Sequence, residues 1–171
     1  MALIATPGAA NANSYATVAE FKAYWGSRPN NTVPLAQTDP QIEALLIHGT
    51  RVLSAAFPWT GRVVSAVQAL AWPRTGMLTR NGFAIAPTVI PQDLTDALCE
   101  LAGQLASSNR TADSDIEKLG LTSLKAGPVA LTFKETQLSA TDRIIPDAVR
   151  LLLVPSWYTP PAAVPAIFEV L

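Results

Sequence analysis

The chain has 171 residues, a length that favours one domain built around a single sizeable core. Apolar residues make up 49% of it and charged residues 15%, well below the roughly 25% of average globular chains. The formal net charge is −1 and the 12 Lys and Arg residues are scattered, which argues against nonspecific nucleic-acid binding through a basic stripe. So little charge suggests a surface that contacts other protein, although an ordinary alanine-rich bacterial or viral protein has the same composition.

Cys99 is the only cysteine, which excludes an internal disulfide and a cysteine-based metal site. Its Ala/Leu-rich surroundings favour a small buried side chain over a reactive thiol. No apolar run reaches the about 18 residues that a membrane-spanning helix needs. The N-terminal residues 1–8 lack the basic start of a signal peptide, so we expect an intracellular protein or one assembled inside a cell.

The N-terminal third predicts an arm and two helices. Residues 1–16 are small and polar and predict an extended, poorly held arm. A capping-box pattern at Thr17–Glu20 opens a helix with an aromatic face over about 17–26, and a polar loop follows over 27–37.

The second helix has the clearest periodicity. Thr38 or Asp39 caps it, Pro40 occupies its first turn and Pro58 ends it. Its apolar residues recur on one face over about five turns. Gly49 lies on that face and predicts the close approach of another backbone.

A long connection, residues 58–90, contains two turn signals. An Asn-Gly pair at 81–82 predicts a hairpin with strands at 77–80 and 83–86. A Trp-Pro-Arg sequence at 72–74 predicts a stiff, extended corner, because Pro fixes its own φ and moves the preceding residue away from the α region. Such a corner is either a packing anchor or a docking surface.

The C-terminal half predicts two more helices and a second hairpin. A helix over about 91–109 begins near a proline and has an Ala/Leu-rich face. A hairpin over 119–136 follows, and Pro146 starts a short fourth helix. The final segment, 155–171, is too rich in proline for a helix and too apolar for a freely solvated tail.

Together these elements predict a mainly α fold with two small β-hairpins. We expect a bundle of about four helices over 17–154, between the arm 1–16 and a proline-rich extension 155–171. The extension is expected to become ordered on a partner or a neighbouring subunit, and folding back on its own domain is the alternative. Its candidate contact residues are Trp157, Tyr158, Ile167, Phe168 and Leu171.

The sequence offers few residues for catalysis or metal binding. His48 is the only histidine, so no histidine pair or triad can form. An acidic stretch at 113–117 lacks the glycine and the bidentate glutamate of a calcium loop. No glycine-rich phosphate loop is present. We therefore expect no enzyme activity, no cofactor and no metal.

Arginine and tryptophan occur together in the long connection. Arg62, Arg74 and Arg80 lie near Trp59 and Trp72 along the chain. Such side chains can stack on the bases of single-stranded nucleic acid, and they are also enriched in protein–protein hot spots. The absence of a broader basic field favours the second interpretation.

The order of these features resembles the head–tail adaptor proteins of tailed bacteriophages. The resemblance covers about residues 13–155 and rests on Gly-Arg at 61–62, Gln-Ala-Leu-Ala-Trp-Pro-Arg-Thr-Gly at 68–76, the Asn-Gly hairpin, Ile-Pro at 90–91 and Cys-Glu-Leu-Ala at 99–102. The residues that carry the signature are Gln68, Leu70, Trp72, Pro73 and Arg74.

The resemblance implies an adaptor-type helical bundle that assembles as a ring, typically of twelve copies, in the virion neck after synthesis in the host cytoplasm. Such a ring binds the portal protein on one side and tail, stopper or tail-terminator proteins on the other. Such a ring surrounds the double-stranded DNA channel without reading its sequence. The resemblance implies no enzyme activity and no cofactor. Related sequences are often labelled DnaT-like single-stranded-DNA-binding proteins, so a replication accessory that binds single-stranded DNA is the alternative function.

Overall fold

A computed structural model describes residues 2–108, Arg110, residues 144–159 and the backbone of two strands between them. The described chain is mainly helical, with two short antiparallel strand pairs. None of its helices is long and apolar enough to cross a bilayer. The helices are α1 Val18–Gly26, α2 Thr32–Leu35, α3 Asp39–Ala56, α4 Gln92–Ser107 and α5 Asp147–Leu152. The strands are β1 Arg62–Val63, β2 Arg74–Thr75, β3 Ser123–Ala126 and β4 Val129–Thr132, and a single 3-10 turn covers Pro155–Trp157.

Local capping signals set the starts of the helices, as the sequence predicts. At α1, the Thr17 N–H donates to the Glu20 carboxylate at 2.7 Å, and the Glu20 N–H donates back to the Thr17 hydroxyl at 3.2 Å. At α3, the Thr38 N–H donates to the side-chain oxygen of Gln41 at 2.8 Å. Helices α4 and α5 begin directly after Pro91 and Pro146. All four predicted helices are confirmed to within about two residues, which is the usual uncertainty of helix ends.

Helix α4 forms the centre of the core. Helices α1, α2, α3 and α5 all pack against it, so it is buried on almost every side. A helix in this position needs small or apolar residues on most of its surface, and Ala, Leu and Gly supply half of α4. Gly49 of α3 does face α4, but side chains rather than the predicted backbone approach it: a Cβ there would lie 3.0 Å from a methyl group of Leu98. Whether the helices form an adaptor-type bundle stays a prediction.

Two local predictions need correction. The segment 27–37, expected to be a polar loop, contains helix α2, whose Pro34 is buried against the rest of the protein. At 77–86 the predicted hairpin strands reduce to one isolated bridge, Leu78 with Ala84, around a turn in which Gly82 has φ +84°. Regular pairing in this connection instead joins β1 to β2, with Arg62 opposite Thr75 and Val63 opposite Arg74.

The second predicted hairpin is confirmed. Strands β3 and β4 pair antiparallel, with Ala126 opposite Val129 and Ser123 opposite Thr132. Both strands fall inside the predicted range 119–136.

Both ends of the described chain pack against the core, so residues 2–16 are not the poorly held arm that was expected, and residues 155–159 follow the alternative of folding back on the domain. Tyr15 and Ala16 are buried at the core, and the Ile4 and Asn13 backbones are joined by a hydrogen bond of 2.9 Å. At the other end, the backbone of residues 155–159 turns back and Trp157 is buried. Apolar side chains within otherwise polar or proline-rich sequences explain both differences. Residues 160–171 lie outside the described part of the chain.

Candidate interaction site at the Trp-Pro-Arg corner

Trp72 lies at the centre of an aromatic cluster. Its side chain is 1% exposed, and its peptide bond to Pro73 is cis. Its ring centroid lies 5.8 Å from that of Trp59 in an edge-to-face arrangement and 5.0 Å from that of Trp157. Such tilted contacts are favourable for aromatic rings. The Trp72 indole nitrogen is the only buried side-chain nitrogen or oxygen in the described part of the chain without a hydrogen-bond partner. Packing, rather than hydrogen bonding, is therefore the role of this side chain.

Arg74 ties two stretches of the long connection together. Its guanidinium donates to the carbonyl oxygens of Thr60 at 2.5 Å, Gly61 at 3.0 Å and Ala71 at 3.0 Å, and more weakly to that of Trp59 at 3.3 Å. Burial lowers the pKa of Arg74 from its ordinary value, and the charge interaction with Tyr15 partly offsets this by raising the same pKa. The planar fork of arginine is suited to holding several carbonyls at once. Four of its five N–H donors are therefore used within the protein.

Gln68 fixes the loop that precedes the corner. Its side-chain oxygen accepts from the backbone N–H groups of Val64 at 3.0 Å and Ser65 at 3.1 Å. Its side-chain amide donates to the carbonyl oxygens of Leu70 at 2.8 Å and Pro73 at 3.1 Å. A glutamine is needed because only an amide side chain both accepts and donates in this way.

The remaining signature residues pack beside this network. Leu70 is partly buried against the hydrophobic core, and Pro73 is buried. The five signature residues are thus brought together in one structural unit.

The N-terminal arm covers the corner from one side. The Ala69 N–H donates to the Ala9 carbonyl at 3.2 Å, and Gly8 passes close to Pro73. The hydroxyls of Tyr15 and Ser54 are hydrogen-bonded at 2.7 Å. Burial raises the pKa of the Tyr15 hydroxyl, so this phenol stays protonated and continues to take part in the core.

The C-terminal segment covers the corner from the other side. The Trp157 indole N–H donates to the Leu78 carbonyl at 2.7 Å, and the Trp157 carbonyl accepts from the Thr60 N–H at 2.8 Å. The half-buried Tyr158 ring lies 4.6 Å from that of Phe57. Trp157 therefore belongs to the core, and contact of Trp157 and Tyr158 with a partner stays a prediction. The other candidate contact residues, Ile167, Phe168 and Leu171, lie outside the described residues.

A second polar cluster, centred on Glu100 of α4, was not anticipated from the sequence. The buried Glu100 carboxylate accepts from Arg28 at 2.6 Å, from the Tyr24 hydroxyl at 2.9 Å and from Gln104 at 2.8 Å. Burial, reinforced by the hydrogen bond to Glu100, raises the pKa of Tyr24. A glutamate among the buried residues in the middle of α4 is the signal that could have revealed it, since a buried charge requires such partners. The cluster joins α1 to α4.

Residues considered for chemistry are not grouped in the described structure. His48 is exposed on the outer face of α3, and no three His, Cys, Asp or Glu side chains among the described residues could share a metal ion. Cys99 is buried, and burial raises the pKa of its thiol, which makes it a poor nucleophile. The acidic stretch 113–117 lies outside the described residues.

The exposed surface is apolar in places and holds little aromatic area. Phe83, at 73% exposure, is the only exposed aromatic side chain in the described part of the chain. The exposed arginines there are Arg51, Arg62 and Arg80. Large exposed aliphatic side chains occur at Val33, Leu35, Val63, Val64, Val67, Leu78, Val89 and Leu151.

Comparison with known proteins places this chain in one family. Residues 1–161 match the family described as "Putative DnaT-like ssDNA binding protein". Searches of curated proteins and of solved structures give no match. Because the match extends over most of the chain and includes the whole Trp-Pro-Arg corner, the chain belongs to the DnaT-like family bearing that description.

Proposed function

We propose that this protein is a structural head–tail adaptor of a tailed bacteriophage. In this proposal it forms a ring below the portal protein, joins the capsid vertex to tail or stopper proteins, and surrounds the DNA channel without reading its sequence. The observation that carries the proposal is the internal use of the Trp-Pro-Arg corner: Trp72 and Arg74 hold the domain together and are not presented to a ligand.

Exposed aliphatic residues support contacts with other protein. Val63, Val64 and Val67 project from β1 and the turn after it, and Val67 is 71% exposed. Aliphatic surface of this kind fits a protein interface. A cyclic ring requires two different faces on each subunit, and exposed aliphatic residues occur both here and around Phe83 on the 77–86 turn.

Binding of single-stranded DNA is the alternative, and the description of the family favours it. Binding of this kind combines cationic side chains along the DNA backbone with aromatic rings on which bases stack. The described surface offers four exposed cationic side chains, Lys22, Arg51, Arg62 and Arg80, and, as a stacking ring, Phe83. The tryptophans that could stack on bases are instead packed in the core, which supports the adaptor proposal over this alternative.

Two measurements on the full-length protein separate the functions. Electron microscopy of the protein mixed with the portal protein of its phage is expected to show a ring on the portal. A fluorescence-anisotropy titration with a labelled single-stranded oligonucleotide at about 150 mM salt is expected to show only weak binding. Tight, salt-dependent binding that is lost in Arg51→Gln, Arg62→Gln and Phe83→Ala variants, with no ring on the portal, would establish the alternative instead.

A further inference from the structure

An open cleft lies between the 79–81 turn and the N-terminal end of α4. Its volume is about 500 Å³, within the roughly 300–1,000 Å³ of typical ligand pockets. Its lining is mainly apolar, and Val89 at its mouth is 48% exposed. The apolar lining residues are Ile85, Ala86, Val89, Pro91 and Trp157.

The edges of the cleft favour an acidic residue. The Arg80 guanidinium donates to the carbonyl oxygens of Leu151 and Leu152 at 3.2 Å, so it is held in place at one edge. The N-terminal turn of α4 forms the other edge, and a helix N-terminus attracts negative charge. Asp93 also lies at that edge, so Arg80 is the more favourable contact for an incoming carboxylate.

The sequence after Thr159 has the chemistry that this cleft requires. Residues 160–171 contain three prolines and a cluster of large apolar residues, and Glu169 is their only charged side chain. Proline favours extended backbone and lowers the entropy cost of ordering a bound segment. In this sequence Glu169 directly follows Phe168, so the aromatic ring can enter the cleft while the carboxylate meets Arg80.

The proposed ring makes the next copy of the chain the receptor for this segment. The Thr159 N–H donates to the Pro58 carbonyl at 3.1 Å, and both residues are exposed. The segment therefore starts at the surface beside Pro58, and extended residues span about 3.3 Å each, so residues 160–171 can reach roughly 40 Å. Insertion into the next subunit joins two different surfaces, as a ring requires.

We propose that residues 160–171 of one subunit bind the cleft beside Trp157 of the next subunit, with Phe168 in the cleft and Glu169 at Arg80. This inference rests on the proposed ring and identifies the surfaces that link its subunits.

Disulfide trapping in the full-length protein tests it. The variant Val89→Cys with Phe168→Cys is assembled on the portal protein and treated with an added thiol oxidant. Because Val89 is exposed and Cys99 is buried, the variant is expected to fold and Cys99 to stay unreactive. We expect a ladder of disulfide-linked subunits at least tenfold stronger than that of a matched control, Val67→Cys with Phe168→Cys. Val67 is also an exposed valine, but it lies outside the cleft.

Each outcome is decisive. The inference is overturned, while the adaptor function stands, if a ring forms on the portal but no ladder appears. The same holds if both variants give equal ladders or if only intrachain disulfides form. Absence of any ring on the portal contradicts the adaptor function, and the inference falls with it.

Discussion

Replacing Trp72 with alanine tests whether the corner is part of the cooperative core. The side chain is almost fully buried and contacts two other indole rings. Truncating a buried aromatic residue to alanine typically costs about 3–5 kcal/mol. Small domains have about 5–15 kcal/mol of stability, so Trp72→Ala should remove about a fifth of it or more. For a domain of this size, about 4 kcal/mol corresponds to a fall in Tm of about 8–16 °C.

Urea denaturation followed by far-UV circular dichroism measures this loss, and amide hydrogen exchange over residues 58–77 shows whether the loop opens with it. Trp72→Phe is the matched variant: it keeps a ring and gives up no hydrogen bond, since the indole nitrogen has none. It should cost about 1–2 kcal/mol. Val67→Ala, at an exposed position, should change stability by less than about 0.5 kcal/mol. If Trp72→Ala costs under about 1 kcal/mol, or loosens the loop without lowering global stability, the corner is not the anchor described above.

Three further predictions concern the same region and its neighbours. Arg74→Lys should cost about 1–3 kcal/mol in urea denaturation, because an ammonium cannot hold the four carbonyls that the guanidinium bridges. Gly61→Ala should cost at least about 2 kcal/mol, since φ is +67° there and a Cβ would collide with the Thr75 carbonyl oxygen. Burial raises the pKa of Tyr15 and Tyr24 above their ordinary value of 10.0, so the stability they contribute is complete below about pH 10 and falls as the pH rises further.

Matched controls make these predictions specific. Gly76 also has a positive φ, +78°, but open space around its Cβ position, so Gly76→Ala should cost only about 1 kcal/mol. Equal costs at both glycines would contradict the close approach at Gly61. For the pH dependence, the urea midpoint should fall less between about pH 8 and 11 in a Tyr15→Phe, Tyr24→Phe double variant than in the wild type. For arginine, Arg62→Lys at an exposed position should be nearly neutral, and a similar loss at both sites would argue against the bridging role.

The parts of the fold set by neighbouring residues could be predicted from the sequence. A Thr-x-x-Glu pattern, or a proline in or directly before the first turn, acts within one helical turn. The starts of α1, α3, α4 and α5 can therefore be predicted without any tertiary contact. The stiffness of the Trp-Pro pair also depends only on neighbouring residues. Helix α2 could not be predicted because its four residues are too few to show periodicity, and the burial of its Pro34 depends on the rest of the protein.

The candidate site needed long-range information. From the sequence, residues 72–74 could be either a packing anchor or a docking surface. The residues that pack with them and show them to be an anchor, Tyr15 and Trp157, lie far away along the chain. Small polar residues surround Tyr15 and prolines surround Trp157, and such surroundings predict extended arms. The Glu100 cluster was missed for a similar reason: its partner Arg28 lies in a segment that reads as a loop.

The aromatic cluster joins segments that leave the ribosome at very different times. Trp59 and Trp72 emerge long before Trp157, and at about 5–20 residues per second the interval between Trp72 and Trp157 is roughly 4–17 s. During that interval Trp157 does not yet pack against the other two indole rings, and a nascent chain that exposes such apolar surface is prone to aggregation. Contacts of such high sequence separation also slow folding. The corner can therefore close only when synthesis has passed Trp157, so packing of the aromatic cluster follows translation of nearly all of the chain that the structure describes.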